Sequence, residues 1–362
     1  MSYNDYLYEL QLKKLKGSKI GTRDLVLEFI KSTPLSSSKE IHNGLKDVGY
    51  ATIKRTLQTL VAENLVTLSG RGKSTKYEIS QAYELVRTIN VETYFSKEID
   101  EREIKDNFNH SLIKETLSNA SLFRVDELHL LTSLQKQYTE NIAKLAHTEF
   151  SKELERLAID LSWKSSQIEG NTYSLLETER LLKEKETASG KTKDEATMLL
   201  NHKVALDFII AQPAYVKPLS VSSIEDIHSL LIKELDIARN LRNRRVGISG
   251  TNYKPLDNEF QIKEALAEMC DLVNQQENVF AKTLLALVLI SYIQPFADGN
   301  KRTARIISNA ILINNNYCPI SFRTVGAIEY KKAMLVFYEQ NNISAIKKIF
   351  IEQFEFAVKT YF

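Results

Sequence analysis

Cysteine is scarce in this chain of 362 residues: Cys270 and Cys318 lie far apart, with no Cys-x-x-Cys pair. Neither a disulfide framework nor a thiolate zinc site is therefore expected. The six histidines (His42, His110, His129, His147, His202 and His228) show no metal-ligand spacing and read as surface or satisfied core residues, so no zinc enzyme is suggested. Long apolar runs are missing too. The longest, Leu284–Ile293, falls well short of the roughly 20 residues that span a bilayer. The N-terminus, Met-Ser-Tyr-Asn-Asp, lacks the basic-then-apolar pattern of a secretion signal, so a cytoplasmic protein with no membrane partner is expected. Charge of one sign is also lacking overall, at a net +2, but residues 1–80 hold 13 Lys and Arg against 8 Asp and Glu, leaving 35 against 38 beyond them. That basic front end favours a nucleic-acid partner for the first segment alone.

What is present is enough apolar content, 43%, to fill real cores over two or three domains. The pattern is mainly α, without internal repeats. Residues 22–32 read as a helix with Leu25, Val26, Phe29 and Ile30 inward, and Ser36–Lys46 as a second. After a turn at Gly49, Ala51–Glu63 reads as a third, burying Ile53, Leu57, Leu60 and Val61. Its outer face carries Thr52, Lys54, Arg55, Gln58 and Thr59, the side-chain types that reach phosphates and base edges in a major groove. Strands at Leu65–Leu68 and Thr75–Ile79 flank a basic turn with Arg71 and Lys73. Residues 18–80 thus resemble a winged helix-turn-helix domain, which implies DNA binding through Thr52, Lys54, Arg55, Gln58, Arg71 and Lys73; docking to a protein remains the alternative use of such a domain.

The boundaries expected are a winged helix-turn-helix domain over 1–80, a helical scaffold or linker over 81–149, a main domain over 150–345 and a C-terminal helix over 346–362. Tyr94, Phe95 and Phe108 read as packing anchors in the scaffold. Lys183–Glu195 reads as a polar surface loop. Helices are expected over Ala196–Ile210, Ser222–Glu234 and Ile262–Gln275, with a short β-hairpin around Val246–Ile248 and Tyr253.

Residues 292–305 read Tyr-Ile-Gln-Pro-Phe-Ala-Asp-Gly-Asn-Lys-Arg-Thr-Ala-Arg. A buried helix stops at Pro295 and another starts near Asn300. The unpaired N–H groups of the new helix, with Arg302 and Arg305 one turn apart on one face, make a phosphate cradle. The stretch resembles the signature of the Fic family, His-Pro-Phe-x-(Asp or Glu)-Gly-Asn-(Gly or Lys)-Arg-x-x-Arg. The first position departs from it: Gln294 stands where the family carries its catalytic histidine, with Pro295 and Phe296 in register.

The resemblance implies an all-helical Fic core with a β-hairpin flap, covering about residues 150–340, and a site for ATP and Mg²⁺. Asp298 would hold the metal ion. Gly299 would admit the backbone; Asn300, Lys301 and Arg302 would donate to the phosphates; Phe296 would support the loop; Arg305 would grip the terminal phosphate. Doc toxins, which resemble kinases in chemistry, share Lys at the position of Lys301 but have Ala at that of Gly299, so Gly299 leans toward the AMP-transferring branch. Upstream, Ser165-Ser166-Gln167-Ile168-Glu169-Gly170-Asn171 is similar to the family's inhibitory pattern, (Ser or Thr)-x-x-x-Glu-(Gly or Asn), which implies that Glu169 pairs with Arg305 and blocks the terminal-phosphate position. Gly247–Pro255 looks like the family's flap. Its Ser249, Gly250, Thr251 and Tyr253 would meet a protein target carrying a Ser, Thr or Tyr hydroxyl.

Two readings of function stay open. One is a protein adenylyltransferase held shut by Glu169, in which Gln294, whose amide cannot accept a proton as an imidazole can, withdraws the roughly 10²–10⁴-fold contribution of a general base. The other is a catalytically silent Fic-fold regulator whose nucleotide occupancy sets the conformation of the DNA-binding segment. Removal of AMP from a modified protein would also call on the missing histidine. Self-association into a homo-oligomer is left unspecified.

Overall fold

The computed structural model describes residues 21–362. One compact unit runs to Val86 and takes in Asn119–Ser121; the other comprises Arg87–Ser118 and Leu122–Phe362. Residues 18–20 of the stretch expected as a winged helix lie outside the described residues.

The first unit opens with α1 (Thr22–Ser32), α2 (Ser38–Gly44) and α3 (Tyr50–Ala62). The second helix starts two residues later than expected. Leu35 takes a φ of +60°, Ser36 bridges Tyr77, and Ser37 then caps α2: its side chain accepts the Glu40 N–H at 3.3 Å while the Glu40 carboxylate accepts the Ser37 N–H at 2.6 Å. Val26, Phe29, Ile30, Ile41, Ile53, Leu57 and Leu60 form the core, with Leu25 and Val61 at its margin. The buried set on α3 leaves Thr52, Lys54, Arg55 and Gln58 on its exposed face. Strands β1 (Val66–Ser69) and β2 (Lys76–Ile79) pair antiparallel, with Val66 opposite Ile79. Arg71 is exposed in the turn between them, and the Lys73 side chain lies outside what is described. Gly70 is required there: its φ is +78° and a Cβ would sit 2.5 Å from the Ser74 carbonyl oxygen. The unit closes with α4 (Gln81–Val86).

In the second unit α5 (Val91–Phe95) and a π-helical turn (Leu112–Leu117) precede α6 (Val125–Ile142), α7 (His147–Ile168), α8 (Leu175–Glu184), α9 (Lys193–Ala211) and α10 (Val221–Leu231). Then come α11 (Glu259–Gln275), α12 (Val279–Ile293), α13 (Asn300–Asn314), α14 (Ala327–Gln340) and α15 (Ser344–Tyr361). Helix α12 is buried on almost every side, as expected of a helix that is apolar all round. It packs on α11, α13, α14 and α15, while α13 also meets α7, α9 and α10.

The divisions expected at residues 149 and 345 fall inside this unit. The stretch 87–149 is not a separate linker apart from residues 119–121, because its apolar groups complete the same core. Phe108 stacks on Tyr292 at 5.0 Å, α6 packs on α15, and Phe350, Phe354, Ala357 and Val358 of α15 are buried. Residues 246–255 double back through a turn at Ser249–Gly250, with Gly250 at a φ of +88°. The arms are not paired as strands, so the expected hairpin is present as a turn without a ladder; the antiparallel strand pair of the described residues is β1–β2. No helix among the described residues is long and apolar enough to cross a membrane.

Candidate functional site

The loop between α12 and α13 is held from three directions. Gln294 ends α12 in the left-handed region (φ 51°) while its N–H still donates to the Ile290 carbonyl at 3.1 Å. Its side chain is committed at both atoms: Nε2 donates to the Ser291 carbonyl at 2.6 Å, and Oε1 accepts from Asn300 Nδ2 at 2.9 Å. Asn300 closes the loop on itself, accepting the Phe296 N–H at 2.8 Å and donating to the Phe296 carbonyl at 2.9 Å. From outside, buried Arg242 donates through Nε to the Gln294 carbonyl at 2.6 Å, and its N–H reaches the Pro295 carbonyl at 3.0 Å. Beneath, the buried Phe296 ring stacks on His228 with centroids 3.6 Å apart and planes 2° from parallel. His228 Nε2 lies 2.9 Å from the Asp298 carbonyl. Burial holds this imidazole down at about 4, against the opposing pull of the Asp298 carbonyl and with Arg302 adding to the depression, so it is neutral near pH 7.

Gly299 introduces α13 at a φ of +82°, and a Cβ there would come within 3.3 Å of the His228 ring. The backbone N–H groups of Asn300, Lys301 and Arg302 have no partner among the described residues, which leaves the positive end of the helix open to an anion. Asp298 is two-thirds exposed; one carboxylate oxygen accepts the Gly299 N–H at 2.6 Å and the other lies 3.2 Å from Arg302 Nη2. Arg302 is otherwise buried, and its Nε and Nη1, like Arg305 Nη1, have no hydrogen-bond partner among the described residues, although the Arg305 guanidinium lies 5.2 Å from the Tyr330 ring centroid.

Arg305 faces the end of α7. Its Nε donates to Ser165 Oγ at 2.8 Å, and its Nη2 to the Ser165 carbonyl at 2.9 Å and to Glu169 Oε1 at 2.8 Å. Lys301 Nζ reaches Glu169 Oε2 at 3.2 Å. Glu169 sits at the C-cap of α7, where the helix dipole disfavours a carboxylate. Burial would also push its pKa up, yet Arg305 and Lys301 together outweigh burial and hold it at about 2. Gly170, at a φ of +105°, turns the chain away. Asn171 fixes the turn, its N–H donating to the Ser166 carbonyl at 3.0 Å and its Nδ2 to the Glu195 carbonyl at 2.8 Å.

A cleft of about 270 Å³ opens beside the start of α13. Glu169, Gln294, Asp298, Gly299, Asn300 and Lys301 line one side; Val246–Ser249 and the α14 residues Lys331, Met334, Leu335 and Tyr338 line the rest. Of the flap residues named from the sequence, Ser249 lines the cleft, while Gly250 and Thr251 lie at and beyond the turn. Tyr253 is not available to a target. It is buried, stacked on Tyr292 at 4.8 Å, with its hydroxyl donating to the Tyr292 carbonyl at 3.1 Å. Thr52, Lys54, Arg55, Gln58 and Arg71 belong to the other unit.

The α14 wall, His228 and Arg242 escaped the sequence reading. His228 and Arg242 reach the loop from 70 and 52 residues away, and neither carries a local spacing that marks it.

Residues 218–312 match the model of the Fic/DOC family. The chain is 23% identical over 233 residues to Protein adenylyltransferase fic-1 of Caenorhabditis briggsae, covering 60% of this chain and 46% of that protein. It thus spans a little under half the length of that curated relative. In structure it is similar to Fic-1 of C. elegans, with a TM-score of 0.58 at 20% identity over 65% of this chain and 72% of that one. It is also similar to a Fic domain containing signaling protein from Bacteroides thetaiotaomicron, with a TM-score of 0.52 at 18% identity over 64% and 96% respectively. The chain therefore carries a Fic/DOC family domain within a mainly helical, Fic-type fold.

Proposed function

We propose that the cleft binds ATP, that Glu169 keeps it closed by occupying the terminal-phosphate position, and that the chain belongs functionally with the protein adenylyltransferases. The observation that carries this reading is the set of unsatisfied donors around one carboxylate. Three helix N–H groups, Arg302 Nε and Nη1, and Arg305 Nη1 have no hydrogen-bond partner among the described residues, and a buried unpaired donor is costly enough that a phosphate is its natural complement. Glu169 already takes two of the cations a polyphosphate would need. Asp298 suits Mg²⁺ in chemistry, being an exposed carboxylate beside the helix mouth; a bound magnesium ion would neutralise phosphate charge there.

If AMP is moved from ATP to a Ser, Thr or Tyr hydroxyl of a protein laid against Val246–Ser249, the bond between the α- and β-phosphates breaks, pyrophosphate leaves, and the hydroxyl must lose a proton. Gln294 cannot take it, and both ends of its side chain are already used within the loop. The parent chain is accordingly a weak or silent transferase. That commitment of Gln294 favours a second reading, in which the Fic domain is a nucleotide-responsive regulator of a winged helix-turn-helix segment that binds DNA through the exposed face of α3 and Arg71. The exposed basic and amide side chains of α3 support it.

The transferase reading is tested with labelled ATP and three proteins: parent, Glu169→Gly, and Glu169→Gly with Gln294→His. Label transferred to protein by the double variant and not by the parent is expected. Strong label with Glu169→Gly alone would demand a base other than residue 294. The regulator reading is tested by DNA binding of the full chain at rising salt, where a steep loss of affinity is expected; no binding at low salt would remove it.

A further inference from the structure

Four hydrogen bonds fix the loop 246–255, and three of them come from a stretch far upstream of the matched Fic/DOC residues, one being Asn252 Nδ2 donating to Asp100 Oδ1 at 3.2 Å. Arg102 is buried. Its Nη1 donates to both carboxylate oxygens of Glu339 at 3.0 and 3.2 Å, and its Nη2 to the Gly250 carbonyl at 2.8 Å. One guanidinium thus joins α14 to the tip of the flap, the two walls of the cleft. The Lys105 N–H donates to the Glu339 carbonyl at 2.8 Å, and the Asp106 carbonyl accepts the Lys254 N–H at 2.7 Å, with Asn107 and Lys254 bridged in parallel. The fourth is the Tyr253 hydroxyl on the Tyr292 carbonyl, and Tyr292 itself receives the Asn109 N–H at 2.9 Å. By contrast, the backbone N–H groups of Val246–Ser249 have no partner among the described residues, and these residues face the cleft.

We propose that residues 99–109 brace the flap and that Arg102 is its positioning residue, setting the separation of the flap tip from α14 and so the width of the opening offered to a protein target. The identity of what enters rests on the transferase reading; the brace does not. A bare flap whose arms form no ladder has little to hold its shape, whereas a planar fork that satisfies two walls at once defines both distance and angle. The outer edge of the flap is taken by residues 106–107, so an extended target segment is left the Val246–Ser249 edge.

Amide hydrogen exchange on the full chain tests this. Arg102→Met with Glu339→Met removes both charges, leaving no lone buried ion, and Arg102→Lys keeps the charge but loses the fork. In both variants exchange at Lys254, whose N–H the brace holds through the Asp106 carbonyl, is expected to quicken at least about tenfold while residues 300–314 stay as in the parent. Unchanged exchange at Lys254 in either folded variant overturns the brace. If the Glu169→Gly, Gln294→His protein transfers label, adding Arg102→Lys should raise KM for the protein acceptor and leave KM for ATP unaltered; a change confined to the latter also overturns it. A silent double variant would tell against the transferase reading only, with exchange still deciding the brace.

Discussion

Gln294 holds the loop before α13. Its amide nitrogen and oxygen bridge Ser291 and Asn300, so Gln294→Leu, of similar bulk, should cost about 1–3 kcal/mol by stranding a buried carbonyl and one Asn300 proton. Thermal or urea unfolding measures this, and a loss below about 0.5 kcal/mol would mean the amide is dispensable to the loop. Glu169 is the counterpart on α7. Its identity was legible from the Ser-x-x-x-Glu spacing, because a helical turn brings Ser165 and Glu169 to one face where both meet Arg305. The contribution of Lys301 to the same carboxylate was not legible, since the motif assigns that position to the phosphates.

At the scale of elements, the α12 to α13 turn depends on the glycine that starts α13. Gly299→Ala would force a left-handed backbone on alanine, worth about 1–2 kcal/mol, and press its methyl toward His228; a drop in the unfolding midpoint is expected, and an unaltered midpoint would contradict the tight turn. The imidazole beneath has a consequence for pH. Because its folded-state pKa is depressed to about 4, the unfolded chain takes up the proton first, and stability falls as pH drops from about 6.5 toward 4. His228 alone accounts for about 2 kcal/mol between pH 7 and 5, and His202, fully buried and lowered in the same direction, adds to it. Glu169, depressed to about 2, loses its contribution only below about pH 4.5. His228→Phe should flatten the pH 5–7 part of the profile, and an unchanged slope would place the proton uptake elsewhere. The helices themselves were largely readable. Thr22–Ser32 and the start at Asn300 follow from apolar spacing and a Gly-Asn opening. The flap's missing ladder was not readable, because its arms are fixed by residues 102–109 and 292 rather than by each other. Such long-range partners leave no local pattern.

For the molecule as a whole, the chain separates into two units at Val86, and the basic excess of the first 80 residues falls largely in the first. The break expected at residue 149 vanished because Phe108, Leu131 and Tyr138 are core residues of the larger unit, something a polar, helix-rich stretch conceals until its partners α12 and α15 are in place. The larger unit owes its cleft to pieces far apart in sequence: the end of α7, the loop before α13, residues 246–249 and α14. On the proposed reading, a nucleotide's phosphate tail contends with Glu169 for Arg305 and Lys301. Calorimetric titration of the full chain with ATP and magnesium tests that competition most directly, in the parent and in Glu169→Gly. A carboxylate bonded to two cations is worth about 1.5–3 kcal/mol, so the variant should bind about 10–100-fold more tightly than the parent; equal affinity in the two proteins, or no heat in either, would contradict the account.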